Sequence, residues 1–290
     1  MTFRRPAAPL PLGWAVRRAR ELADPIAVRR NGGPAVPPRR LRARTGAPGI
    51  SEFVTGGAAA AAELLDGGLR AAGVSEEGIR SVLDLGCGSG RVLPQVALRA
   101  PGARCVGCDV DAAAIAWDRR HWPALEWERT GFAPPLPFAA GSFALVYSIS
   151  VFSHLDERLS DAWAAEVERV LAPGGVALLS VHGASAFEQF RTGAVSTAWC
   201  RRGAFSRGPL GASEFAFVPY RRSIWNEGEL PGVGVEYGLA FHGASYVRSR
   251  WSTMFDVVAV LERAITGWQD LVVCRSRQVS DLSPSWASEG

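Results

Sequence analysis

The chain contains no lysine; all 32 of its basic residues are arginine. Arginine and lysine differ in chemistry, but no fold excludes lysine, so this absence reads as coding bias. Long apolar runs are also missing. The longest, Phe143 to Phe152, is broken by two serines and falls far short of the roughly 20 residues of a spanning helix. No membrane partner is expected. Cysteine is scarce and odd in number: Cys87, Cys105, Cys108, Cys200 and Cys274. Scattered cysteines argue for free thiols in a reducing compartment. Cys105 and Cys108 form a C-x-x-C inside an expected buried strand with no second pair, and read as small core residues. No acidic cluster has metal-ligand spacing, so no metal is expected. Pro6, Pro9 and Pro11 interrupt the N-terminus, which argues against a signal peptide and for a cytoplasmic location.

What remains is a globular composition, 48% hydrophobic and 21% charged over 290 residues, enough for one large domain or two small ones. The net charge of +4 is unevenly placed. Residues 1–44 carry eleven arginines against two acids, whereas the rest has 21 arginines and 26 acids. The basic balance thus describes an arm, and the body is mildly acidic. Such an arm is usually a solvated terminus, although basic arms also bind nucleic acid or anionic lipid.

Residues 1–35 read as that flexible arm, with one short helix over 13–22, and 36–80 as a lead-in with a helix over 58–72 that ends at Gly73. From Ser81 the pattern alternates. Strands are expected at 81–85, 103–108, 125–128, 143–148 and 176–181, with helices over 91–100, 111–121 and 157–171 between them. This rhythm predicts a mostly parallel sheet covered on both faces over 81–183. Residues 184–241 break the rhythm with glycines and ten aromatics, among them Phe187, Trp199, Tyr220, Trp225 and Tyr237, and read as an inserted lid. A helix over 245–250 and strands over 255–262 and 270–276 resume the core in 242–277, and 278–290 is a loose tail.

The most informative segment is Asp84-Leu85-Gly86-Cys87-Gly88-Ser89-Gly90, which follows a strand and opens a helix. Glycines there let the backbone turn sharply and approach a ligand, and the helix start offers free N–H groups. The spacing is G-x-G-x-G, not the G-x-G-x-x-G of the dinucleotide fold. Asp109 ends the next strand, 19 residues after Gly90. A carboxylate at that point can accept both hydroxyls of a ribose, and parallel sheets bind ligands at the carboxyl ends of their strands.

Taken together these residues resemble the class I S-adenosylmethionine-dependent methyltransferases. VLDLGCGSG (82–90) is similar to their first motif, CDVD (108–111) to the ribose-binding strand end, 136–157 to the fourth-strand region, and RVLAPGGVALLSVHG (169–183) to the helix-turn-fifth-strand signature. HGASYVRSRW and QDLVVCRS extend a weaker resemblance to one bacterial branch. The resemblance implies an α/β, Rossmann-like fold with a seven-stranded mostly parallel sheet and a lid after strand 5. It implies S-adenosylmethionine as cofactor and S-adenosylhomocysteine as product. Its methionine end would lie against Gly86, Gly88 and the Asp84 region, its ribose on Asp109 and its adenine on Val110, with Phe132 at the adenine edge; Cys87, Gly90, Gly131, Ala133 and Ser148 are the other expected cofactor-binding positions. Many relatives carry an acid where this chain has Phe132.

Methyl transfer from sulfonium needs mainly in-line alignment, and a hydroxyl acceptor gains from a general base. His154, His182 and His242 are the candidates, with Tyr237, Tyr246 and Arg248 as acceptor contacts; His121 ends a helix and reads as surface. Arg42 and Arg44 either reach an acceptor or pair with surface acids. No N/D-P-P-Y follows the fourth strand and no Pro-Cys pair occurs, which argues against the familiar amino and cytosine chemistries. The expected reaction is O-methylation of a small polar acceptor such as a sugar, a specialised metabolite or a modified peptide, with nucleic acid disfavoured. N-methylation and an RNA modifier using the basic arm are the alternatives. A dinucleotide-binding reductase is disfavoured by the glycine spacing, and a fold that binds cofactor without chemistry by the intact loop.

Overall fold

The computed structural model describes residues 35–196, 198, 200, 203–221 and 236–277. The arm with its expected helix, the tail, Trp199 and Trp225 lie outside these residues. Nine strands occur among the described residues: β1 (Ser81–Leu85), β2 (Arg104–Asp109), β3 (Glu126–Arg129), β4 (Phe143–Ser148), β5 (Leu171–Val181), β6 (Phe215–Pro219), β7 (Gly238–His242), β8 (Phe255–Ile265) and β9 (Gln269–Ser276). The helices are α1 (Arg39–Arg44), α2 (Ile50–Ala62), α3 (Leu93–Arg99), α4 (Ala112–His121), α5 (Glu157–Val170), α6 (Ala184–Arg191) and α7 (Ala244–Trp251).

Seven strands form one sheet in the order β3-β2-β1-β4-β5-β9-β8. β1 to β5 are parallel, and β9 runs antiparallel between β5 and β8. The alternation of buried side chains explains the layers. Leu83, Leu85, Val106, Val146 and Leu179 pack with α5 and α7 on one face. Val82, Cys105, Leu145, Tyr147 and Leu178 pack with α2 and α3 on the other. Strands buried on both faces read as continuous apolar runs, as these do.

The helix expected over 58–72 begins earlier, at Ile50, and runs through a π-helical turn at Glu63–Leu69 and a last α-turn at Arg70–Ala72. It ends at Gly73 with φ 66°. The Gly56-Gly57 pair masked its start. Gly57 is there for contact: a Cβ on it would lie 2.2 Å from the Arg91 carbonyl oxygen. Gly68 plays the same part in the π-turn, 2.8 Å from a methyl of Leu178 by the same measure. β5 starts at Leu171 rather than 176, because Leu171 pairs with Phe143 across a bulge.

The described part of the insertion has its own small core of Phe187, Phe190, Leu210, Leu239 and Phe241. β6 and β7 form an antiparallel ribbon from Phe215↔His242 to Pro219↔Gly238. It is seated on the main sheet: the His242 N–H donates to the His182 carbonyl at 2.8 Å, and Tyr237 bridges to Leu155. The expected lid boundary at 241 therefore falls inside β7, whose five residues are all buried.

Candidate functional site

The sheet order reverses between β1 and β4, and the chain's chemistry-bearing residues collect at the carboxyl ends of the strands around that point. Gly86, Gly88 and Gly90 have φ of 79°, 56° and 66°. These left-handed values favour glycine. A Cβ at Gly86 would lie 2.2 Å from a Val151 methyl, and one at Gly88 2.6 Å from the Thr45 methyl. The Gly86 and Cys87 N–H groups both donate to the Cys108 carbonyl, which ties the turn to the end of β2.

Asp109 is fixed by its own backbone surroundings. Its Oδ2 accepts from the Gly88 N–H and its Oδ1 from the Asp111 N–H, both at 2.8 Å. Burial pushes this carboxyl up, while these N–H groups pull it down. Each oxygen keeps acceptor capacity, so the group is oriented and still able to take ribose hydroxyls. Val110 is half-buried beside it. Asp84 is buried, accepts from the Tyr147 hydroxyl at 2.9 Å, and is raised by burial to about 7. Ser148 is buried and its Oγ donates to the Leu85 carbonyl at 2.9 Å, bracing the last residue before the turn. Cys87 is buried, and burial raises its thiol. Gly131 and Ala133 are exposed. Phe132 is half-buried and meets Tyr237 edge to face at 6.1 Å, and its carbonyl accepts from the Trp163 indole.

The histidines divide into two groups. The His154 and His182 rings lie 5.7 Å apart, and Tyr237 lies 5.4 Å from His154. The His154 Nδ1 stands 2.9 Å from the Gly238 carbonyl and 2.9 Å from the Tyr220 hydroxyl. A carbonyl only accepts, so Nδ1 carries the proton and the basic lone pair of the neutral ring is on Nε2. Burial lowers the His154 pKa, with the Gly238 carbonyl opposing. His182 is lowered well below its ordinary value, by burial and by His154 and His242 nearby. The His242 ring packs instead against Phe215, Tyr246 and Trp251; both its nitrogens are buried without a partner, and burial brings it to about 3. Tyr246 donates to Glu157 at 2.8 Å, and Arg248 is exposed on α7. His121 is half-buried and stacked on Trp117 at 4.2 Å, where a surface position was expected.

The lead-in arginines are structural in part. Buried Arg42 donates to the Pro37 and Pro48 carbonyls, at 2.6 Å and 3.0 Å. Arg44 pairs with Asp111 at the start of α4, an acid 6% exposed and not a surface group. Sequence reasoning missed several residues at this end of the sheet. Tyr220 meets His154. Gln269 donates to Ser150 Oγ at 2.6 Å and stands 3.5 Å from His182 Nε2, with its own Oε1 buried and unpaired. Ser150 has φ 61°, a conformation rare outside glycine. Asp118 lies under Gly90 with both carboxyl oxygens buried and unpaired, and burial raises it to about 9. Of these, Tyr220 left a trace as one of the insertion's aromatics and Asp118 as an acid on the stripe of Ala114 and Ile115. A groove of about 840 Å³ lined by Leu65, Arg70, Ile79, Arg80 and Arg99 lies toward the other end of β1 and contains none of these groups.

An open sheet with a glycine turn after its first strand, an acid ending the second and the strand order reversing beside them defines an α/β protein of the nucleoside-binding kind. Residues 82–175 match the family model described as a methyltransferase domain. That stretch, about a third of the chain, is therefore similar to methyltransferase domains. It is 32% identical over 120 residues to a malonyl-[acyl-carrier protein] O-methyltransferase of Legionella pneumophila, covering 39% of this chain and 40% of that protein. It is 30% identical over 135 residues to the norajmaline N-methyltransferase of Rauvolfia serpentina, covering 44% and 45%. The chain thus spans less than half the length of these curated relatives. Among solved structures, a SAM-dependent methyltransferase of Methanosarcina mazei matches with a TM-score of 0.50 at 17% identity, over 70% of this chain and 94% of that one. This last likeness concerns the fold. The crevice fits S-adenosylmethionine, the cofactor that the sequence resemblance implies: a turn that tolerates no Cβ and an oriented carboxylate with acceptor capacity to spare.

Proposed function

We propose that the protein transfers a methyl group from S-adenosylmethionine to a hydroxyl oxygen, or a carboxylate, of a small polar acceptor, with His154 as the base for a hydroxyl. The cofactor supplies a methyl group already activated by its positively charged sulfur. The observation that carries the reading is the state of His154. Its Nδ1–H is spoken for by the Gly238 carbonyl, its ring is kept neutral by burial, and its free lone pair is on Nε2. A base in that state takes a hydroxyl proton as the oxygen attacks. His182, Tyr237 and Tyr220 wall the same spot with neutral hydrogen-bonding groups and rings. Asp109 would hold the ribose, and Gly86 and Gly88 let the backbone come close to the cofactor. Phe132 stands where an acid would otherwise meet the adenine, beside Val110. His242 is left out of the chemistry, because its nitrogens are sealed in the aromatic core.

The malonyl and norajmaline relatives act on oxygen and on nitrogen by their names, which supports methyl transfer and leaves the acceptor atom to chemistry. The test is methyl transfer by the full chain across alcohols, sugars, amines and carboxylic acids, with His154→Ala beside it. Transfer to hydroxyls that falls about 10²- to 10⁴-fold in the variant, with S-adenosylhomocysteine binding retained, is the expected result. Preferential transfer to amines at an unchanged rate in the variant would replace this reading with N-methylation.

A further inference from the structure

Gln269 opens β9 and is buried. Its amide nitrogen donates to the Ser150 Oγ at 2.6 Å and stands 3.5 Å from the His182 Nε2. The amide's donors are turned to these two groups. Its oxygen is closed to solvent and bonded to nothing among the described residues. Ser150 fixes this orientation. It sits in the left-handed region at φ 61°, and its own N–H donates to the Ser180 Oγ at 2.9 Å. A residue other than glycine stays in such a conformation only where its surroundings over-determine it. Ser150 precedes Val151, which packs against Gly86 of the turn, and His182 lies beside the His154 ring. Gln269 is thus tied to residues that border both the glycine turn and the proposed base. Ser150, His154 and Trp268 around it are half-buried, so the oxygen lies one layer beneath groups that solvent reaches.

A buried acceptor left unpaired is costly, and a ligand that brings it a proton donor recovers that cost. A carboxylate has no proton to bring. An ammonium has, but the groups around this spot are neutral: burial lowers His154 and His182 and raises Tyr220 and Tyr237. The neighbouring acid, Asp270, projects from the opposite face of the strand. Its Oδ1 accepts from the Arg263 N–H at 2.9 Å, and its Oδ2 packs on Gly183, which has no room for a Cβ. A cation without a counter-ion is expensive in such surroundings, which leaves a hydroxyl as the matching donor. We infer that Gln269 selects a neutral polyhydroxylated acceptor, a sugar or a cyclic polyol, by accepting a hydrogen bond from a second hydroxyl of the molecule whose first hydroxyl meets His154. The second hydroxyl is bound and not methylated. This rests on the reading of the site as one that methylates a hydroxyl, and narrows the acceptor within it.

The test is methyl transfer by the full chain, read as S-adenosylhomocysteine formed, to matched acceptors: methyl pyranosides against their single-deoxy forms, and 1,2-cyclohexanediols against cyclohexanol. Wild type is expected to favour a polyol over its partner lacking one hydroxyl by about 10- to 100-fold in kcat/KM, the range for leaving one buried polar group unpaired. Gln269→Leu removes the oxygen, and the ratio for the same pair is expected to fall to within about threefold of unity. Gln269→Met, closer to glutamine in length, makes the same comparison where the leucine variant does not fold. A preference that survives in a folded variant overturns the inference and leaves Gln269 a brace for Ser150. The absence of any polyol preference in wild type overturns it without a variant; if transfer to a hydroxyl is then still lost in His154→Ala, the reading of the site as an oxygen methylase stands. Transfer to amines alone, or to no acceptor, removes that reading and the inference with it.

Discussion

Two side chains of the site carry pH-dependent consequences of opposite sign. Burial raises Asp84 from its ordinary 3.8 to about 7. Between those values the folded protein keeps a proton there that the unfolded chain has released. The stability this group contributes is full below 3.8 and is lost as pH rises through about 7. Asp84→Asn has no such proton to lose. Its unfolding midpoint relative to wild type should therefore improve steadily as pH is raised from 4 to 8, measured by thermal melts without ligand. A constant gap would show that Asp84 is ionised in the folded state throughout. His154 moves the other way: burial lowers it below its ordinary 6.5. The acid limb of acceptor-dependent methyl transfer should lie below pH 6.5, and a limb above that value would point to another base. Gln269 adds a third expectation at this scale. Its amide braces Ser150 beside His182, with its oxygen buried and unpaired. If that oxygen meets the acceptor, Gln269→Leu should raise the acceptor KM about tenfold or more, the value of one lost polar partner, and leave S-adenosylhomocysteine binding as it was.

At the scale of elements, the crevice depends on how closely α2 lies on the turn after β1. Gly57 is the point of contact, with no room for a methyl group above the Arg91 carbonyl. Backbone cannot move aside as a side-chain tip can, so Gly57→Ala should destabilise the protein by about 1–3 kcal/mol despite alanine's better helix propensity. Chemical denaturation would measure it, and a stabilised variant would contradict the close approach. The same contact explains why the start of α2 was hard to read. A Gly-Gly pair in sequence looks like a break, and only the neighbour it must touch reveals it as a helix surface. The bounds of β4 were legible to the residue, because FALVYS is a largely apolar run between turns. The early start of β5 was not, because Pro173, Gly174 and Gly175 carry turn chemistry inside a strand held by a bulge.

At the scale of the whole molecule, the mostly parallel sheet and the glycine turn were legible because they come from local patterns repeated along the chain, whereas the order of the strands was not. The convergence of His154 with His182 and Tyr237 was only half legible. Histidine at a strand end is a visible candidate, but the Gly238 carbonyl that sets its tautomer arrives from 84 residues away. Tyr220 and Gln269 meet the site the same way, through the β6–β7 ribbon and the start of β9; Tyr220 was visible only as one of the lid's aromatics, and nothing in the local sequence of Gln269 announces its place. The same distance effect separates His242 from its expected role. It sits in an H-G pair like His182, yet its strand turns it into the aromatic core. Every role proposed for these residues requires that the crevice beside Gly86, Gly88 and Asp109 takes S-adenosylmethionine. Calorimetric titration of the full chain with S-adenosylhomocysteine, with NADH and Asp109→Ala as controls, tests it most directly. Micromolar binding of S-adenosylhomocysteine, absent for NADH and lost in the variant while its fold persists by circular dichroism, is the predicted result. No binding, or a preference for NADH, would contradict it.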